Sequence, residues 1–440
     1  IEDNRILFNQ SFNQAQSARG GGIYVAGVPE TGAETSDGAG DVLIARNLIQ
    51  GNQAGAGDGS ALATNAFNGS DANPNNGPAT YQLSVINNTM VNNVTGGAGT
   101  ILLDDVENGR FHHNTIAFNE STATAASAFT GPNGFTESVR QVSGVYSLLH
   151  STDLLAELGA GSGFSNPELR NNIVWQNLSC YWVDDTGEGA QGILCEDGGS
   201  LVYDEFAVQA NAGCLDVDNS VLTDLADADI CPGATGNVDA NPAFIGPSFL
   251  ARPSLSPFLE ERAGRIDAFA AFDEGGNFID VSYGLESIVD VGGQLTQKGD
   301  FHISTASGAI DIGASVAVTD DIDGDIRPFG SAADAGSDEV TVVGSNSIVI
   351  QTAEIESILS ATKIRIQVIA TSNLGVEADL TLTIRDANNL PIVENLPMAW
   401  KSLTSDWQRL RAVKTTKFTF PYTVTVQGAE GSAVATVSAP

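Results

Sequence analysis

Five short segments of the chain share one pattern: "NRILFN", "NLIQGN", "NTMVNN", "NTIAFN" and "NIVWQN". Each opens on an asparagine (Asn4, Asn47, Asn88, Asn114, Asn172) and carries a second one five residues on (Asn9, Asn52, Asn93, Asn119, Asn177). The residue two after the first asparagine is always aliphatic: Ile6, Ile49, Met90, Ile116, Val174. Its neighbours range from Arg5 and Thr115 to Gln50 and Trp175. That alternation marks a short strand with one buried face. Copies of such a strand bury that face by stacking as turns of a solenoid. Equivalent asparagines then recur about 4.8 Å apart, and their amides hydrogen-bond along the axis as a ladder. Asparagine also tolerates the left-handed backbone of a bend. The pattern predicts an all-β chain built on a parallel β-helix with two asparagine ladders.

The spacing between motifs places the decoration. Asn88 and Asn114 are 26 residues apart, near what three short strands with turns require, whereas the other intervals are 43, 41 and 58 residues. The excess is read as insertions: "VPETGAETSDGAG", "ATNAFNGSDANPNNGPAT" and residues 121–166, leaving from one corner of every coil. Within the last, residues 145–158 ("VYSLLHSTDLLAEL") have helical spacing and are expected to pack on the solenoid edge.

The pattern resembles the right-handed parallel β-helix of the pectin-lyase-like superfamily. Downstream, "NNIVWQN", "GNVDANPAFIGP", "GDFHISTASGAIDIG" and "DDIDGDIRPFGSAADAGSDE" follow the order found in bacterial surface β-helix proteins of the choice-of-anchor type. In those proteins the final coils end in a "SPAID" segment, a "D-x-D-G-x-x-R-P" turn and a "DIGA-x-E" segment. Here Gly308 stands at the usual proline, and residues 249–285 look inserted. The resemblance covers roughly residues 1–340 and implies a fold. The family includes lyases, hydrolases and adhesins, so it implies no single activity.

Charge divides the chain. The net charge is −35, and residues 1–340 carry all of it, with 46 acids against 11 bases, while residues 341–440 hold eight of each. That step marks a domain boundary. The net charge argues against nucleic acid and anionic membrane surfaces as partners and for either divalent cations or a salty environment. From residue 345 the style changes to alternating strands such as "KIRIQVIATS" and "TKFTFPYTVTVQG", which predict an immunoglobulin-like antiparallel β-sandwich over 345–440 with Trp400 and Trp407 in its core. No run of about 18 apolar residues occurs, so no membrane-spanning segment is expected.

Cys180, Cys195, Cys214 and Cys231 fall within the segment 178–235, with no histidine and no CxxC among them. They read as two disulfides, nearest neighbours preferred, in an exported, extracellular or cell-surface protein. For chemistry, "DDIDGDIRP" offers Asp321, Asp323 and Asp325 as calcium ligands alongside Asp320, with turn hydrogen bonds and pairing to Arg327 as the structural alternative. Asp216 and Asp218 form a second acidic run. Asp104 and Asp105 suggest paired acid and base work, but the companion motifs of polygalacturonase-like enzymes are absent. Arg110, Arg140 and Arg170 are the basic candidates for elimination chemistry. His112 and His113 are adjacent, so on a strand they face opposite sides and do not share a metal.

The expectation is therefore an exported structural or adhesive protein without a catalytic set. A calcium-assisted lyase, a glycoside hydrolase or a glycan-binding module is the alternative. The partner is surface polysaccharide or a second copy. Because Asn4 is already a full rung, the first coil needs a cap, either from upstream sequence or from head-to-tail assembly into a filament.

Overall fold

A computed structural model describes residues 1–11, 19–27, 35–55, 57–75, 80–132, 136–159, 163–183, 192–250, 258–259, 288–290, 299–340, 348–360, 363–372, 380–401, 406–414, 417–428 and 431–439. Two compact units divide at residue 340: Ile1–Val340 and Thr341–Pro440.

The first unit is a parallel β-helix, and each coil gives one strand to each of four parallel sheets rather than the three expected. Sheet 1 stacks the motif strands Arg5–Leu7, Leu48–Gln50, Thr89–Val91, Thr115–Ala117 and Ile173–Trp175, then Val221–Leu222. Sheet 2 runs from Gln10–Ser11 to Leu178–Ser179, sheet 3 from Ile23–Ala26 to Phe206–Val208, and sheet 4 from Val42–Ala45 to Val217–Asp218. The strands of sheet 2 are two residues long, too short for an alternating pattern to show in sequence. Residues 121–166 are not one insertion: Val145–Ser147 lies between them as the sheet 3 strand of its coil, followed by a short helix, Thr152–Leu158. The extra chain therefore leaves from two corners.

Both ladders form, with every rung in hydrogen-bond contact. Asn88 Oδ1 accepts from the backbone N–H and Nδ2 of Asn47 at 3.0 and 2.9 Å, and Asn88 donates in the same way to Asn114 at 3.0 and 3.0 Å. Asn93 repeats this between Asn52 and Asn119. The second Nδ2 proton reaches a backbone carbonyl of the preceding coil, Ile44 for Asn88 and Ile49 for Asn93, each at 2.9 Å. The buried amides are thus satisfied along the stack, as burial demands. The first ladder continues through Ser220 to Asn237, and the second ends on Glu205.

The left-handed residue at each bend is the one before the ladder asparagine: Asp3, Arg46, Asn87, His113 and Asn171 at one end of sheet 1, with φ between 53 and 57°. Such a conformation costs a non-glycine residue roughly 1–2 kcal/mol. The ladder's hydrogen bonds hold it in place. Between the bends, Ile49, Met90, Ile116, Val174 and Leu222 stack at no more than 1% exposure and form the axis of the core. Each contributes roughly 2–3 kcal/mol of apolar burial.

The segment after residue 240 differs from the expectation that it adds final coils. It folds back over the outer face of sheet 1. Phe301 and Phe244 pack on Val91, Ala117 and Phe118, while Ile303, Ala309, Ala335 and Val340 cover Ile173 and Val221. The bend residues grip it. Asn219 Nδ2 donates to Ile312 O (3.0 Å), Asn171 exchanges bonds with Ala314 (2.7 and 2.9 Å), and Asn87 donates to Asp320 O (2.8 Å). Doublets such as "NN" at 87–88 and 171–172 therefore do two jobs, one amide inward and one outward. Ser337 completes the seam through Thr89 (2.7 Å) and Thr115 (3.1 Å). Gly308 has its own reason: a Cβ there would stand 2.3 Å from Ala240 Cβ.

Both disulfides pair nearest neighbours, Cys180–Cys195 and Cys214–Cys231. The second unit is a β-sandwich of two four-stranded antiparallel sheets. One orders Ile348–Ser360, Lys363–Ser372, Asp406–Lys414 and Ala399–Lys401; the other orders Pro391–Pro397, Thr381–Arg385, Tyr422–Gly428 and Gly431–Val437. Ile366, Val368, Leu382, Ile384, Val424 and Val426 form its core with Trp407. The side chain of Trp400 lies outside the described residues. No described helix is long and apolar enough to cross a membrane.

Candidate functional site

Most of the polar residues singled out in the sequence are engaged in holding the fold. Asp104 pairs with Arg19, and Asp105 turns to His150 and the Ser151 N–H (2.7 Å), so the two carboxylates serve separate partners. Burial is the main cause raising the Asp104 pKa. Arg140 donates to the carbonyls of Ser179 and Glu196 and lies 4.6 Å over the Tyr181 ring, tying down the first disulfide segment. His113 is buried against Arg327, and burial followed by that guanidinium holds its pKa well below the usual imidazole value. Arg327 is itself buried and pairs with Glu339 at 3.2 Å, not with Asp323 or Asp325.

Asp321, Asp323 and Asp325 have different surroundings. Asp321 is fully buried. Its Oδ1 accepts the N–H groups of Asp323 (2.9 Å) and Asp325 (2.8 Å), and its Oδ2 accepts that of Glu339 (3.0 Å). Asp321 thus organises the turn. Asp323 reaches His302 Nε2 at 2.5 Å, and Asp300 meets His302 Nδ1 at 2.5 Å. Those two carboxylates raise the His302 pKa to about 11, so without an ion it is an imidazolium. Asp338, pushed up to about 7 by burial, stands beside them. The group lines a cleft of about 390 Å³ that also receives Arg5 and Arg46. His302 and Asp338 carried no repeat or motif that would single them out in sequence.

The second concentration of functional groups lies on the outer face of sheet 4. Gly109–His112, Glu168–Arg170 and Val217–Asp218 are neighbouring strands there, with Arg110 opposite Glu168 and His112, Arg170 and Asp218 in one register. Phe111, Leu169 and Val217 point into the core, and the alternation sends the charged residues outward. Arg170 Nε lies 3.0 Å from Glu168 Oε1 and 3.8 Å from Asp218 Oδ2, and His112 Nε2 is 3.3 Å from Glu168 Oε2. Burial lowers the His112 pKa. At the end of this row a groove of about 290 Å³ is lined by Asn166, Glu168, Arg170, Asp216, Asp218 and Gly233. Asn166 holds Asp216 through reciprocal bonds of 3.0 and 3.3 Å, and Asp218 accepts the Thr235 N–H at 2.7 Å. The result is a row of charged donors and acceptors with Arg170, Asp216 and Asp218 held by their neighbours. It suits hydroxyl groups, with arginine able to take a carboxylate through two parallel bonds.

No family model, curated protein or solved structure matches this chain.

Proposed function

We propose that this is an extracellular structural and adhesive protein, a β-helix shaft of the pectin-lyase-like kind, nearest in motif order to bacterial choice-of-anchor surface proteins. On this reading it binds surface polysaccharide along the open face of sheet 4. One observation carries the proposal: the charged row Arg110, Glu168, Arg170 and Asp218 stands outward on sheet 4, whereas the outer face of sheet 1 is covered by the chain itself. The two disulfides suit an oxidising compartment. The second unit fits an appended module. Lettered in chain order A, B, C, C′, D, E, F, G, its sheets read ABED and C′CFG, the immunoglobulin-type order. A second copy of the chain is the alternative partner.

A polysaccharide-active enzyme is the second reading, favoured by Arg170 facing the carboxylates of Glu168 and Asp218. Binding is preferred because the side chains of Arg170 and Glu168 are 40% and 37% exposed, and acid–base chemistry gains most where water is excluded. The test is affinity electrophoresis of the purified chain in neutral and uronate-containing polysaccharide gels, beside Arg110→Glu and Arg170→Glu. Retardation of the native chain is expected, with at least about tenfold weaker binding in Arg170→Glu, as loss of a charge-assisted bond of 1.5–3 kcal/mol implies. Absence of retardation sinks the proposal. Release of unsaturated or reducing ends by the native chain, lost in Arg170→Ala, replaces it with the enzymatic reading.

A further inference from the structure

We propose that His302, Asp323 and Asp338 form a binding site for a divalent transition-metal ion of the zinc class, open to the cleft on the covered side of sheet 1. Three separate stretches of the returning segment supply the ligands. His302 lies on the strand Asp300–Ile303, Asp323 on the acidic turn, and Asp338 directly after Ser337. Ser337 is fixed to sheet 1 through Thr89 and Thr115. One ligand atom from each of the three residues lies within 4.8 Å of the other two.

The geometry around the histidine is specific. Strand alternation puts Asp300 and His302 on one side while Phe301 enters the apolar cluster. Asp300 Oδ1 then meets Nδ1 at 2.5 Å, which fixes the ring and leaves Nε2 to face Asp323. A carboxylate behind a ligating histidine is the arrangement that orients such ligands and raises their basicity. Asp338 is 8% exposed and is held in place by the Ile303 N–H, which donates to Oδ2 at 2.7 Å.

One imidazole nitrogen with two carboxylates suits zinc or manganese, whereas calcium takes oxygen ligands alone. Tetrahedral ligand atoms around zinc stand roughly 3.4 Å apart, given bonds of about 2.0–2.1 Å. Nε2 and the Asp323 oxygen, 2.5 Å apart, therefore have to open by about 1 Å as the ion replaces the proton between them. The Asp323 side chain is 58% exposed and sits on a turn, so it has room to move. Three protein ligands leave a fourth position for water or an exogenous ligand of the metal.

The experiment titrates the chelator-stripped chain with zinc chloride in excess calcium chloride, beside His302→Ala, Asp323→Asn and Asp300→Ala. One zinc per chain is expected to bind despite the calcium. Affinity should fall at least about tenfold in the first two variants and about 10–100-fold in Asp300→Ala. Asp323→Asn, on the exposed turn, keeps the test valid where His302→Ala fails to fold. Of the four histidines, His112, His113 and His150 are buried, so zinc should shift the imidazole resonances of His302 alone. No zinc uptake overturns the site. Displacement by calcium does so too, and returns the acidic turn to the calcium expected from sequence. Equal uptake in native, His302→Ala and Asp323→Asn chains assigns the binding to the diffuse −35 charge and also overturns it.

Discussion

Asn93 shows what one ladder residue does. It accepts twice from Asn52, donates to Asn119 and donates to the Ile49 carbonyl, all without exposure. Asn93→Ala strands two donors and one acceptor in the dry interior and is expected to cost about 3–5 kcal/mol, at 1–3 kcal/mol per stranded group with partial relaxation. Asn4 is exposed on the first coil, its side chain only donates, to Asn47 Oδ1 and Glu2 O, and Asn4→Ala should cost less than about 1 kcal/mol. Urea unfolding of the two variants checks this, and equal losses would sink the account. The inward asparagine of each pair was legible because it recurs at fixed spacing. Its outward neighbour was not, since Asp3, Arg46, Asn87, His113 and Asn171 share a backbone conformation and no side-chain chemistry.

Among elements, the returning segment depends on close approach to sheet 1. Gly336 has φ +93°, and a Cβ there would stand 2.5 Å from Ile173 Cδ1 and 3.0 Å from Thr115 Oγ1. Its carbonyl also accepts from Arg327 Nη2 at 2.8 Å. Gly336→Ala is expected to cost roughly 2–4 kcal/mol from backbone strain and overpacking combined. Hydrogen exchange should locate the loss. The amides of Ala314, bonded to Asn171 Oδ1, and Glu339, bonded to Asp321, should exchange faster. Those of Asn88 and Asn114, bonded within the ladder, should keep their protection. Uniform loss would mean that the segment and the coils unfold as one.

For the whole molecule, buried carboxyl groups set the pH response of the N-terminal unit. Burial raises Asp204, Glu205 and Asp338 to about 7 and Asp227 and Asp334 to about 6. The folded state keeps protons that the unfolded chain has released above about pH 4, so stability falls as pH rises from there to about 7. His302, raised by Asp300 and Asp323, adds stability that is complete below about 6.5 and is lost as pH climbs toward its folded value of about 11. His112 and His113 act oppositely, since their depressed pKa values penalise the folded state below about 6.5. Five carboxyls and His302 outweigh these two histidines. The metal-free chain should therefore have a higher thermal midpoint near pH 6 than near pH 8 at matched ionic strength, and the reverse order would remove the account.

What the sequence determined by itself is local and periodic. The motif strands, their inward aliphatic stack, both ladders, the disulfide pairing and the boundary near residue 340 all rest on contacts between equivalent or nearby positions. A repeat prints such contacts directly into the chain. The tertiary structure alone decided the fourth strand per coil, the cover over sheet 1, the Arg327–Glu339–His113 cluster and the meeting of His302 with Asp323 and Asp338. Two-residue strands carry no period, and the partners in these contacts come from unrelated segments, up to 248 positions apart between Thr89 and Ser337. Their proximity follows from where the chain turns back to cover Val91, Ala117, Ile173 and Val221 on the outer face of sheet 1.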